Sequence, residues 1–299
     1  MPDFKEQLKK LVPKHDFLIG IDSDGCVFDT MEIKQKECFC PNNIKYFGLQ
    51  AVSKYAREAT EFVNLYSKQR GLNRYNAILV VLALLSKRRE VLERGVKVPE
   101  LKRLQQWTQE ESVLSKSVLR ALVLKTGDAE LKNVLAWSDA IDVAIEELAT
   151  NIPAFPLVRK SLEKASRKAD ILVVSQTPLD VLQREWDEHD LTRFVCSIAG
   201  QEHGTKAEHI AFAMHGKYAP ERVLMIGDAL GDYQAAQQNA ACFFPVVPGS
   251  EERSWRRFMD ESLARFFAGT FKGAYEFGLK LELDAALPES PCWQADIPN

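Results

Sequence analysis

Short apolar runs and one long stretch of helical periodicity divide this chain. Phe17-Leu-Ile-Gly-Ile21 is too short for a buried helix and is rich in Ile and Phe, so it predicts a buried strand. Ile171-Leu-Val-Val174 predicts another, and similar runs fall near 194–198, 222–227 and 242–247, with helical patterns between them. Strands alternating with helices are what a parallel, doubly wound sheet requires, and the predicted class is α/β. Between the first strand and the others the texture changes. From about Asn42 to Thr150 apolar positions recur at three and four, through Val52, Tyr55, Ala59, Phe62, Val63 and Tyr66 and on through Ile78–Leu85, Ser112–Leu124 and Ala129–Leu148. Pro99 and Gly127 punctuate these helices. An all-helical insert of about 120 residues therefore follows the first strand. Ser250–Phe267 and Phe271–Leu283 read as two appended helices, and Pro288–Asn299 as an irregular tail. No internal repeat or low-complexity segment interrupts the pattern.

Composition narrows the class. With 46% hydrophobic and 27% charged residues the chain is globular, so disorder does not dominate it. A net charge of −3 offers no broad basic face, which argues against a nucleic-acid partner. The local run Lys87-Arg88-Arg89 reads as a solvated helix end. Met1-Pro-Asp-Phe-Lys-Glu6 is too polar for a signal peptide, and Ala77–Leu85 stops at Ser86-Lys-Arg-Arg, short of the roughly 18 apolar residues of a membrane span. The six cysteines contain no Cys-x-x-Cys pair, and Cys38-Phe-Cys40 matches no common zinc spacing. They read as reduced thiols in a cytoplasmic protein without a membrane partner. His15, His189, His203, His209 and His215 show no metalloprotease spacing and read as surface or helix-end residues.

The candidate chemistry sits where strands end. Phe17–Ile21 delivers Asp22 and Asp24 onto a turn at Gly25, at the strand edge where open α/β sheets bind ligands. A surface Asp-Gly turn or a calcium loop would be the plainer reading, but an EF-hand loop starting at Asp22 would want Glu where Ile33 stands. The second run ends in Ser175-Gln176-Thr177-Pro178, and Arg222-Val-Leu-Met-Ile-Gly227 ends in Asp228, with Asp232 four residues on. Between them Gly204-Thr205-Lys206 precedes a helical pattern. It is not a P-loop, which needs Gly-Lys-Ser/Thr in that order.

Phosphoryl transfer needs an in-line nucleophile, a proton donor for the leaving oxygen and positive charge around the transferred group. Asp22 can be the nucleophile, and Asp24, on the same side of the strand at period two, can protonate the leaving oxygen and deprotonate the attacking water. Asp22 and Asp228 suit Mg²⁺, a hard cation that prefers oxygen ligands. Ser175 and Gln176 are candidate binders of the phosphoryl oxygens, Lys206 a point cation for them, and Asp232 a holder of Lys206 or of a metal-bound water. In the insert, Tyr66-Ser-Lys-Gln-Arg70-Gly71-Leu-Asn73-Arg74-Tyr75 is the candidate substrate-facing loop, with Arg70 and Arg74 as donors. The competing reading is a plain helix end, with Gly71 past the last turn and both arginines in water.

In order and spacing, Asp22-x-Asp24, Ser175, Lys206 and Gly227-Asp228-x-x-x-Asp232 resemble the haloacid dehalogenase-like superfamily, in its phosphoglycolate phosphatase-like subgroup with a helical cap. The resemblance covers roughly residues 15–30 and 152–247, including Ile152-Pro-Ala-Phe-Pro156-Leu-Val158, similar to the segment by which such chains re-enter the core. It implies a Rossmannoid core of residues 1–30 and 151–299 with a helical cap of 31–150. It also implies the main-chain carbonyl of Asp24 as a metal ligand beside Asp22 and Asp228. Dehalogenases and phosphonate-cleaving relatives lack a carboxylate at the position of Asp24, so the resemblance favours phosphate esters. The expected function is a Mg²⁺-dependent phosphatase acting on a small phosphorylated metabolite through an aspartyl-phosphate, as a monomer or homodimer. A phosphomutase, or a catalytically idle phosphate-binding sensor, is the alternative.

Overall fold

The computed structural model describes residues 4–294. Five strands form one parallel sheet: β1 (Phe17–Ile21), β2 (Ala169–Val174), β3 (Ser197–Ala199), β4 (Val223–Gly227) and β5 (Cys242–Pro245), in the order β3-β2-β1-β4-β5. The expected α/β class with a helical insert is the observed one. Successive strands run outward on one side of β1 and then on the other, so the winding reverses between β1 and β4. In open sheets of this kind ligands bind at the carboxyl edge where the winding reverses.

The strands read as unbroken apolar runs because both faces of the sheet are covered. Ile19, Ile21, Ile171, Val173, Leu224 and Ile226 face one layer, which includes Leu162, Leu182, Trp186, Trp255 and Phe258. Leu18, Leu172, Val174, Val223 and Met225 face the other, with Ile210, Ala213, Ala235 and Leu283. Gly20 belongs to the second face, where an added Cβ would lie 3.2 Å from Met225 Sδ.

Element boundaries differ from the sequence reading in places. β2 starts at Ala169, ahead of the apolar run, because the buried Asp170 accepts from the Lys14 and His15 N–H groups (2.9 and 3.0 Å) and from Tyr218 OH (2.8 Å). Those bonds hold the approach to β1 alongside β2. β3 begins at Ser197 because Thr192–Phe194 closes a 3₁₀ turn. Helix begins at Thr30 and continues through Tyr46 with a π-helical stretch at Lys34–Phe39, earlier than Asn42.

Contacts divide the chain into two compact units. One comprises the residues up to Thr30 with Asn151–Leu287, and the other Met31–Thr150 with the segment from Pro288. The helical unit has its own core, with Tyr75 edge-on to Trp107 (5.0 Å between ring centres) and Phe47 against Trp137 (5.6 Å). Asn73, Ser115 and Asp128 cap three of its helices by accepting from Tyr75, Val118 and Leu131 N–H. The tail, expected with the α/β core, groups with these helices instead. The Pro288 carbonyl accepts from Lys68 N–H (3.3 Å), Glu289 pairs with Lys68 Nζ (2.6 Å), and Trp293 packs on Phe62 and stacks with the Arg88 guanidinium. Residues 1–3 and 295–299, which carry part of the N-terminal and tail readings, lie outside the described residues. Among the described residues no helix is long and apolar enough to cross a membrane.

Candidate active site

Asp22 continues β1 beyond its last residue, its N–H donating to the Ile226 carbonyl of β4 (2.9 Å), and its side chain is buried. The chain then turns tightly. The Ser23 carbonyl accepts from the N–H groups of Cys26, Val27 and Phe28 at 2.9–3.3 Å, and Gly25 sits at φ 72°, where a side chain would be strained. Two buried indoles lock this turn: Trp186 Nε1 donates to Ser23 Oγ (3.0 Å) and Trp255 Nε1 to the Cys26 carbonyl (2.8 Å). The re-entry segment closes on it through Phe155 N–H to the Val27 carbonyl (2.9 Å). Asp24 is thereby placed beside two hydroxyls. Thr30 Oγ1 donates to its Oδ1, and Thr177 Oγ1 donates to its Oδ2 at 2.9 Å.

Ser175 extends β2 in the same way, its N–H reaching the Ala199 carbonyl of β3 (3.0 Å). Its Oγ accepts from Thr177 N–H (3.2 Å), which leaves the hydroxyl proton to donate elsewhere. Gln176 lies beside it, more exposed, its amide donating to the Gly204 carbonyl (2.9 Å). Lys206 opens the helix Lys206–Met214, whose start is held by a reciprocal pair. Glu208 N–H donates to Thr205 Oγ1, and Thr205 N–H donates to Glu208 Oε2 (2.8 Å). Lys206 Nζ bridges Asp22 Oδ2 and Asp232 Oδ1, each at 2.7 Å.

At the end of β4, Asp228 and Asp232 are both buried. Asp232 turns back to accept from Ala229 N–H (3.1 Å), and a Cβ on Gly227 would lie 2.5 Å from its Oδ2. Only glycine fits under that carboxylate.

Asp22, Asp228 and Asp232 bring carboxylate oxygens within 4.8 Å of one another, and the Lys206 ammonium bridges Asp22 and Asp232. Burial drives the Asp22 pKa well above its ordinary value. Lys206 opposes that shift, and Asp232 and Asp228 add to it. Burial likewise raises Asp232 against the pull of Lys206. Burial disfavours the charge on Lys206 too, but Asp22 and Asp232 outweigh it and keep the ammonium protonated. An all-oxygen donor set of three neighbouring carboxylates fits a hard divalent cation, so the buried Asp22, Asp228 and Asp232 group can hold a metal ion.

Arg70 and Arg74 both have partners within the helical unit. Arg70 is buried, and its Nη1 donates to the Leu65 carbonyl (3.0 Å) at the end of the helix Ser53–Leu65. Arg74 pairs with Asp142 (2.6 Å) and donates to Ser138 Oγ (3.1 Å). Neither arginine stands in water, as the plain helix-end reading would have it. Arg88, read as part of a solvated helix end, is buried between Tyr55 and Trp293 and paired with Glu58 and Glu90. Its aromatic partners come from distant sequence, which charge patterning does not register. His203 and His209, read as surface or helix-end residues, are buried with their rings 5.9 Å apart. Thr30 and Thr177 drew no attention in the sequence. Only their meeting with Asp24 marks them.

No family model and no curated protein sequence matches the chain. Among solved structures it is similar to a haloacid dehalogenase-like hydrolase from Streptococcus pneumoniae (16% identity, TM-score 0.43, covering 84% of this chain and 97% of that one). A putative haloacid dehalogenase-like hydrolase from Bacteroides fragilis gives 15%, 0.47, 81% and 93%. A putative β-phosphoglucomutase from Bacteroides vulgatus gives 15%, 0.47, 90% and 98%. At such identities and TM-scores the likeness assigns this chain no activity.

Proposed function

We propose that the chain is a phosphatase of the haloacid dehalogenase-like type, hydrolysing a small phosphorylated metabolite. The observation that supports this reading most is the convergence of Asp22, Lys206, Asp228 and Asp232, from two strand ends and a helix start, at the winding reversal of the sheet. Mg²⁺ is the proposed cofactor, held by Asp22, Asp228 and the Asp24 carbonyl. When bound it neutralises charge so that an anionic nucleophile can approach a phosphate.

The chain's own residues carry the steps. Asp22 attacks phosphorus to form an aspartyl-phosphate, aimed by the ammonium of Lys206, while the Ser175 hydroxyl donates to a phosphoryl oxygen. The bond from phosphorus to the leaving oxygen breaks as Asp24 gives that oxygen its proton. Asp24 then takes a proton from water, whose oxygen attacks phosphorus, releasing phosphate and restoring Asp22. Selection among leaving groups is assigned to the helical unit, and Gln176 joins Ser175 in binding the phosphoryl group.

The test is free-phosphate release over a panel of phosphomonoesters with added Mg²⁺. Chelation should abolish release, Mg²⁺ should restore it, and Ca²⁺ should fail to, since its looser coordination lets Asp22 bind through both oxygens and lose its in-line aim. Full activity in chelator, or no release over the panel, overturns the reading.

A further inference from the structure

We propose that Thr177 is a positioning residue for Asp24, holding the carboxyl assigned to proton transfer in one orientation. The inference rests on the phosphatase reading above. Thr177 and Asp24 lie 153 residues apart in the chain and meet at 2.9 Å, Oγ1 to Oδ2. The turn that carries Thr177 is held independently of Asp24. Thr177 N–H donates to Ser175 Oγ (3.2 Å), and its carbonyl accepts from Gln201 N–H (3.1 Å). Gly200 lets β3's end come that close, because a Cβ there would lie 2.7 Å from the Thr177 carbonyl oxygen. Thr177 thus ties the serine assigned to the phosphoryl group to the carboxyl assigned to the leaving oxygen.

A hydroxyl suits this task for a chemical reason. It fixes one carboxyl oxygen by donating to it and, unlike an ammonium, adds no positive charge that would hold the carboxyl ionised. Thr30 donates to the other carboxyl oxygen in the same way.

The experiment compares kcat/KM for wild type, Thr177→Val and Thr177→Ser on phenyl phosphate and on 2,4-dinitrophenyl phosphate with Mg²⁺. The first leaving group needs a proton and the second does not, while phosphorus, metal and nucleophile are common to both. Thr177→Val should lose about tenfold on phenyl phosphate, the worth of one hydrogen bond to a charged group, and stay within about twofold on the dinitrophenyl ester. Thr177→Ser should restore the phenyl rate. Equal loss on both esters would mean that Thr177 merely supports the site, and no loss on either would mean that Asp24 needs no such support. Either result overturns the proposal while leaving the phosphatase reading standing. A wild-type enzyme that hydrolyses neither ester would overturn that reading and this proposal together.

Discussion

The two units bury polar side chains in different ways. In the helical unit most buried polar groups find a complement nearby, with Trp107 Nε1 and Arg88 Nη1 as exceptions. Asn43 donates to Thr60 and accepts from Trp137 Nε1 (2.8 Å), Asn64 pairs with Gln35 (2.7 Å), and the Arg74 guanidinium meets Asp142 and Ser138. Charge and hydrogen bonds close locally, as they do where polar groups serve a core. In the α/β unit Asp170 is satisfied by three donors at the start of β2, whereas the buried Asp22, Asp228 and Asp232 lie within 4.8 Å of one another at the strand ends, with Lys206 bridging two of them. Like charges brought together in a core mark a group that can hold a cation.

Asp22→Asn breaks the comparison most directly. Turnover should fall by at least about 10²-fold, because the nucleophile and a metal oxygen are lost together. Yet the variant should unfold at no lower temperature than metal-free wild type, since a buried like charge has been removed. Phosphate release and thermal melts in chelator read the two effects side by side. More than about a tenth of wild-type turnover remaining, or a clear loss of stability, would show that Asp22 belongs to the scaffold.

The reciprocal change is Asn43→Ala. It strands the Trp137 indole N–H inside the helical core and should cost about 2 kcal/mol in urea unfolding. Turnover on a small aryl phosphate should stay unchanged if polar burial in that unit is purely structural. A matching loss of kcat would erase the distinction between the units.

A smaller effect sharpens the picture of the α/β unit, where His209 is a buried polar group of another kind. Neither ring nitrogen has a hydrogen-bond partner, and burial, with His203 and then Lys206 nearby, lowers its pKa to about 4, while Glu208 pulls the other way. A histidine whose folded pKa lies below its unfolded value contributes stability above the unfolded value and loses it as pH falls toward the folded one. Between pH 7 and pH 5, wild type should therefore lose roughly 1–2 kcal/mol more than His209→Leu. Parallel losses in the two proteins would mean that this imidazole is solvated in solution.

How much of this was legible beforehand follows from what periodicity encodes. Strand ends are local facts: an apolar run of five residues followed by Asp22 and Asp24, or by Gly227 and Asp228, announces itself. The helical character of the insert was equally plain, though periodicity was read from about Asn42 and the first helix begins at Thr30. A pattern of apolar positions says which face of an element is buried and nothing about which element covers it. Arg88 was misread for that reason, since its charge sits in a basic run while Tyr55 and Trp293 come from elsewhere. The tail's grouping with the helical unit, through Lys68, Phe62 and Arg88, was hidden in the same way.

By itself, then, the sequence determined the α/β class, the helical insert and the residue types at each strand end. These follow from short-range periodicity and from the chemistry of carboxylates, hydroxyl and lysine. Only the tertiary structure decided that β1 and β4 are neighbours, that Lys206 reaches across 184 residues to Asp22, and that Thr30 and Thr177 close on Asp24. Those meetings depend on how sheet and helices pack, and packing brings together residues whose separation along the chain carries no trace of it.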